Sequence, residues 1–195
     1  MLFRFQNDAG NSSRVNGESW KPVTPRQLIG FGIGLAAFFT LIFVSESGFI
    51  FGLDHANLLF HEAGHPIIGL FSNRLETYGG TIGQLTFPIA LAISFWRKGE
   101  VLSFAASLIW FFQNWWNIAR YMADARVLQL PLVGGGDHDW NTILTRWNIL
   151  QYDTRIAEVL KVGGWIGVVA TGAWVAWQFW KKRNESVEQS DLPFV

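Results

Sequence analysis

The chain contains no cysteine. That excludes disulfides, iron–sulfur clusters, thiolate zinc ligands and a cysteine nucleophile. Charge is also scarce: 15% of the 195 residues are Asp, Glu, Lys or Arg, against about 25% in a soluble domain. The 15 basic and 15 acidic residues cancel, so no bulk positive charge is available to hold nucleic acid. Histidine is rarer still, at four residues. What the chain has instead is apolar and aromatic: 11 Trp and 17 Phe, with half of all residues hydrophobic. That combination also excludes a mainly disordered chain.

The apolar residues fall in blocks. Residues 1–27 form a polar, weakly basic tail, punctuated by Pro22 and Pro25. It does not read as a signal peptide, since the following apolar run is too long and lacks a small-residue cleavage site. Four runs have the length and apolarity of membrane spans, at about 28–53, 81–97, 101–123 and 157–180. Gly30 and Gly34 in the first, and Gly163 and Gly167 in the last, have the spacing that lets helices approach closely in lipid. Trp96-Arg97-Lys98 and Trp180-Lys181-Lys182-Arg183 put aromatic and basic residues at span ends, where the interface lies.

Between the first two spans, residues 55–71 form a shorter helix with ionisable groups at His55, His61, Glu62 and His65. Such groups are costly in hydrocarbon and usually face a cavity, so this helix is expected to be buried or re-entrant. Residues 73–80 read as a polar loop. A loop at 124–155 lies outside the membrane, with a short amphipathic helix from 141 to 151, and a charged tail closes the chain from 181 to 195. The mean hydropathy of +0.20 averages the spans with these polar parts. The expected fold is therefore an all-α polytopic integral membrane protein: four transmembrane helices plus the shorter helix. With that helix not crossing, both termini are placed in the cytoplasm, at a bacterial inner membrane.

The chemistry concentrates in His61-Glu62-Ala63-Gly64-His65, an HExxH motif. Positions i and i+4 share a helix face, so both imidazoles reach one Zn²⁺, with Glu62 beside them as general base. A catalytic zinc takes three protein ligands and a water. Six residues beyond His65, where some metallopeptidases place a third His, stands Phe71. The leading third ligand is His138, in a loop made pliable by Gly134-Gly135-Gly136, with Asp137 or Asp139 available to orient its ring. Asp139 and Asp124 are the alternatives; Asp139 also reads as an N-cap of the following helix. Gln113, Asn117, Arg120 and Asp124 make a polar stripe on one helical face, expected to line the metal cavity or, more simply, to end in an Arg120–Asp124 ion pair. Pro66 is expected to kink the metal helix. His55 reads as a helix-end residue or a proton relay.

His61, Glu62 and His65 on an apolar helix, followed by Gly79 and Gly80, resemble the membrane-embedded site-2-type zinc proteases over about residues 50–140. The resemblance implies zinc as cofactor, His61 and His65 as ligands, and Glu62 as the base that activates water. It also implies a membrane protein or peptide as substrate. That family's third ligand, an Asp in a Leu-Asp-Gly setting, has no counterpart motif here. The competing expectation is a non-catalytic small subunit of a larger membrane complex, with a structural metal.

Overall fold

A computed structural model describes residues 20–45, 49–133 and 136–190. The tail up to residue 19, residues 46–48, Gly134, Gly135 and residues 191–195 lie outside the described residues. The described chain is all helical, with no strand: α1 (Pro25–Val44), α2 (Leu53–Gly69), α3 (Asn73–Lys98), α4 (Val101–Ala123), α5 (Asp139–Arg146), a 3-10 turn (Leu150–Tyr152) and α6 (Asp153–Ser190).

Local sequence sets most helix ends. Thr24 and Gln27 form a reciprocal capping box at the start of α1, with Pro25 in the first turn. The first apolar run stops at Val44 rather than continuing to 53, because Ser45 takes an extended backbone and its hydroxyl bonds to the Phe49 carbonyl. Ser72 caps α3, so the polar stretch 73–80 is the first two turns of a helix and not a loop. Gly99, left-handed at φ 67°, ends α3 and lets the chain reverse into α4. α2 continues through Pro66 to Gly69.

α2 and α3 form an antiparallel hairpin whose backbones nearly touch. A Cβ on Gly64 would lie 2.1 Å from the Gly79 carbonyl oxygen, and one on Gly83 2.3 Å from that of Phe60. α4 and α6 pack by the complementary device, with large rings laid over small residues: Cβ atoms on Gly163 and Gly167 would meet Trp115 at 2.7 Å and Phe112 at 2.2 Å. The expected close packing thus holds for Gly163 and Gly167. Gly30 and Gly34 have nothing within 4 Å. α1 instead leans on the bundle through aromatic rings, with Phe39 stacked on Trp165 at 5.7 Å and Phe38 on Trp116 at 6.3 Å.

One end of the bundle gathers Trp20, the α3–α4 turn and the later part of α6. Lys21 donates its amide to the Gly99 carbonyl and pairs with Glu100, while Trp20 packs on Phe104 and Trp174. α2 does not start at either end. Its first turn hydrogen-bonds to Gln113 and Asn117 well inside α4, and from there it runs toward the Tyr121 end.

The burial of α2 is the inverse of a soluble helix. Its buried side chains are Asp54, Asn57 and His61, while Leu59, Ile67, Leu70 and the neighbouring Phe71 are 56–86% exposed. By length and apolarity two helices can cross a membrane, α1 and the apolar part of α6. α3 and α4, of 26 and 23 residues, do not meet the same measure. The reason in α4 is the Gln113, Asn114 and Asn117 stripe, whose first two members are fully inside the bundle.

Candidate metal centre

Asp54 organises the interior next to the motif. It is 1% exposed. Its Oδ1 accepts from Gln113 Nε2 at 2.8 Å, Asn117 Nδ2 at 2.9 Å and Asn57 Nδ2 at 3.2 Å, and its other oxygen accepts from the Ile50 amide. Asn57 is itself held by Gln113 and by Trp110 Nε1. This network locks α2 to α4 in register, and a fully satisfied buried network is rigid.

Two turns further along α2, His61 and His65 face the start of α5. His61 Nε2 lies 2.9 Å from Asp139 Oδ2, and His65 Nε2 lies 3.3 Å from the same oxygen. All three ligand atoms fall within 4.8 Å of one another, so the group can hold a metal ion. Ligand atoms about 2.0–2.1 Å from a tetrahedral ion sit about 3.3 Å apart; the His65–Asp139 distance matches this and the His61–Asp139 distance is shorter, at 2.9 Å. His65 Nδ1 is 2.9 Å from the Glu76 carbonyl oxygen. That contact puts the ring proton on Nδ1 and leaves the Nε2 lone pair turned to Asp139, the usual outer support of a metal-binding imidazole. The His61 ring lies against Gly80, where an added Cβ would come within 2.4 Å of Cε1 and Nε2.

His138 is buried but not in this group. Its Nδ1 accepts from the Asn141 amide at 3.2 Å, so His138, and not Asp139, is the N-cap of α5. Its Nε2 is 3.6 Å from Asp124 Oδ2, longer than a hydrogen bond. Burial holds the imidazole below its ordinary pKa against the opposing pull of Asp124 and Asp139, which suits a neutral ring accepting at Nδ1. Asp124 is also committed elsewhere. Its two oxygens accept the amides of Gln129 and Leu130 at 2.9 and 3.0 Å, holding a turn in which Leu128 is left-handed at φ 54°. Of the His138-Asp139 pair, His138 therefore takes the cap and Asp139 is the member that faces the two histidines.

The remaining stripe divides. Asn117 and Arg120 line both the metal cavity and a second cavity of about 380 Å³, whereas Gln113 lines the second alone. Arg120 lies over the Phe49 ring, 5.4 Å from its centre, and no ion pair joins it to Asp124. His55 ends a helix: its Nδ1 accepts from the Gly52 amide at 3.4 Å, and its ring sits edge-on to Phe49 and Phe51.

The metal cavity has a volume of about 800 Å³, and Glu62 lines it together with His61, His65 and Asp139. Three contributors carried no motif in the sequence. Tyr121 accepts the Asp139 amide at its hydroxyl, 3.1 Å away, and its ring packs 4.1 Å from that of His138. Glu76 acts through its backbone, which a side-chain pattern cannot reveal. Gln84 sits buried in the cavity wall; its position one turn after Gly80 was the only available signal. Comparison of the chain with protein-family models, curated proteins and solved structures finds no match.

The contact at Gly80 gives a direct test. Ala is the better helix former by about 1 kcal/mol, so Gly80→Ala on its own would not weaken α3. It must, however, push the His61 ring. The expected result is a roughly 10–100-fold loss of metal affinity, the scale seen when the support of a ligand is disturbed. Titration with a competing chelator, beside a thermal melt of the metal-free protein, separates the two effects.

Proposed function

We propose that the protein is a membrane zinc metallopeptidase. His61, His65 and Asp139 would hold the ion and Glu62 would act as general base. The observation that carries this reading is the convergence of three ligand atoms, from two segments far apart in sequence, on the wall of the cavity that Glu62 lines. The ligand set, two His from one helix and a distant carboxylate, is similar in chemistry to that of the site-2-type proteases. When bound, the ion supplies Lewis-acid polarisation of a carbonyl and acidifies water. Glu62 then takes one proton from the attacking water and passes it to the nitrogen of the breaking C–N bond. The products are a carboxylate and an amine.

The reading places α1, α3, α4 and α6 across the bilayer, with α2 re-entrant. Its support is the inverted burial of α2 and the exposed apolar face of α3, where Ile82, Ile89, Ile93 and Trp96 are 41–53% exposed. Asp54, Gln113 and Asn117 are then interior polar groups with partners, as intramembrane polar residues require. Arg97, Lys98 and Lys181–Arg183 flank the bundle end that carries Trp20, which favours that end in the cytoplasm of a bacterial cell. The substrate would be a membrane protein or peptide at the bilayer boundary.

The competing reading, a non-catalytic subunit with a structural metal, draws on α1, which buries no residue and presents an open face to a partner. Elemental analysis of the purified full chain tests the metal itself. One zinc per chain is expected in the wild type and essentially none in His61→Ala. Equal zinc in the two proteins would mean that the site is misassigned. Zinc held without any peptide hydrolysis would favour the structural subunit.

A further inference from the structure

We infer that Gln84 reads the main-chain amide of an extended peptide bound beside the metal centre; the inference rests on the peptidase reading for its choice of ligand.

Gln84 is 3% exposed, and it lines the metal cavity. It lies on α3 four residues after Gly80, which touches the His61 ring. One helical turn rises about 5.4 Å, so Gln84 is displaced from the metal-ligand ring by about one to two residues of an extended chain. Its carboxamide makes no hydrogen bond among the described residues. The contrast within the same interior is sharp: Asn57 and Gln113, equally buried, bond to each other and to Asp54. The Gln84 carboxamide in the cavity wall thus has a carbonyl acceptor and two N–H donors that no described protein group engages.

The chemistry of the missing partner follows. A neutral carboxamide does not balance a charge, but it matches another amide, offering a C=O to an N–H and an N–H to a C=O. A peptide bond is that partner. The rest of the wall suits the side chains beside it, with Leu58 on one side and Leu130, Pro131, Leu132 and Val133 on the other. An extended peptide with apolar side chains fits this lining.

The test uses the metal-loaded full chain and three probes: acetohydroxamate, an N-acyl-leucine hydroxamate, and its analogue with an ester in place of the amide. The ester keeps the carbonyl and lacks the N–H, so the amide-to-ester affinity ratio reads the bond accepted by the Gln84 carbonyl. In the wild type the ratio is expected to be at least about tenfold. In Gln84→Met and Gln84→Leu it should fall to about twofold or less, with acetohydroxamate affinity unchanged. The two variants guard against one that does not fold. A ratio near one in the wild type, or an undiminished ratio in both variants, overturns the inference. Failure of all three probes to bind the wild type would remove the metal reading and this inference with it. A Gln84-dependent ratio in a protein that hydrolyses no peptide would keep the inference and remove the peptidase reading.

Discussion

A Glu62→Gln protein is expected to lose peptide hydrolysis by about 10²–10⁴-fold while keeping its zinc and its melting temperature. Gln has the shape of Glu but cannot accept a proton at physiological pH, so the substitution removes the base and little else. Nothing structural depends on the carboxylate: Glu62 is half-buried in the cavity wall and makes no hydrogen bond among the described residues. His61 and His65 lie on the same helix, but their positions are set by Asp139, the Glu76 carbonyl and Gly80. A single-turnover assay on zinc-loaded protein, with elemental analysis of the same sample, makes the measurement. Retained turnover would remove Glu62 from the chemistry. Zinc lost together with turnover would make it a support of the site instead.

The helical class and the convergence of His61 and His65 on one helix face were legible because each rests on local spacing. An i, i+4 pair converges on any α-helix, and uninterrupted apolar runs reveal helices wherever they pack. The boundaries at Val44 and Asn73 were not legible, since they depend on a Ser45–Phe49 bond and on the Ser72 cap, each a choice among several adequate residues. Asp54 was overlooked for a different reason. A carboxylate at the first turn of a helix usually serves the helix dipole, and only the α2–α4 crossing shows that it collects three side-chain amides. Which member of the His138-Asp139 pair faces the two histidines was decided by a rotation of one residue. His138 and Asp139 are adjacent, and either can cap or ligate by residue type. Tyr121 settles the choice: its hydroxyl holds the Asp139 amide and its ring covers His138, which turns one side chain toward His61 and leaves the other beside Asp124.

That arrangement yields the second large effect. Asp139→Ala is expected to lower zinc affinity by about a thousandfold, a third of the roughly 10–16 kcal/mol that a full ligand set provides. What remains is an i, i+4 His pair whose third side has no donor among the described residues. His138→Asn should behave oppositely. Asn is among the best N-cap residues, so it can accept the Asn141 amide in place of His138 Nδ1. The loss is then confined to the ring contact with Tyr121, and zinc affinity is expected to stay within about tenfold of the wild type, the lower scale of an indirect support. The pair of variants is decisive because the two residues are neighbours: a general disturbance of the loop would weaken both alike. Were His138→Asn to lose zinc as completely as Asp139→Ala, the ligand would be the imidazole, and the segment around Gly136 would have to rotate on binding metal. Were Asp139→Ala to keep its zinc, the carboxylate would be only a hydrogen-bond acceptor for His61 beside the half-buried His65.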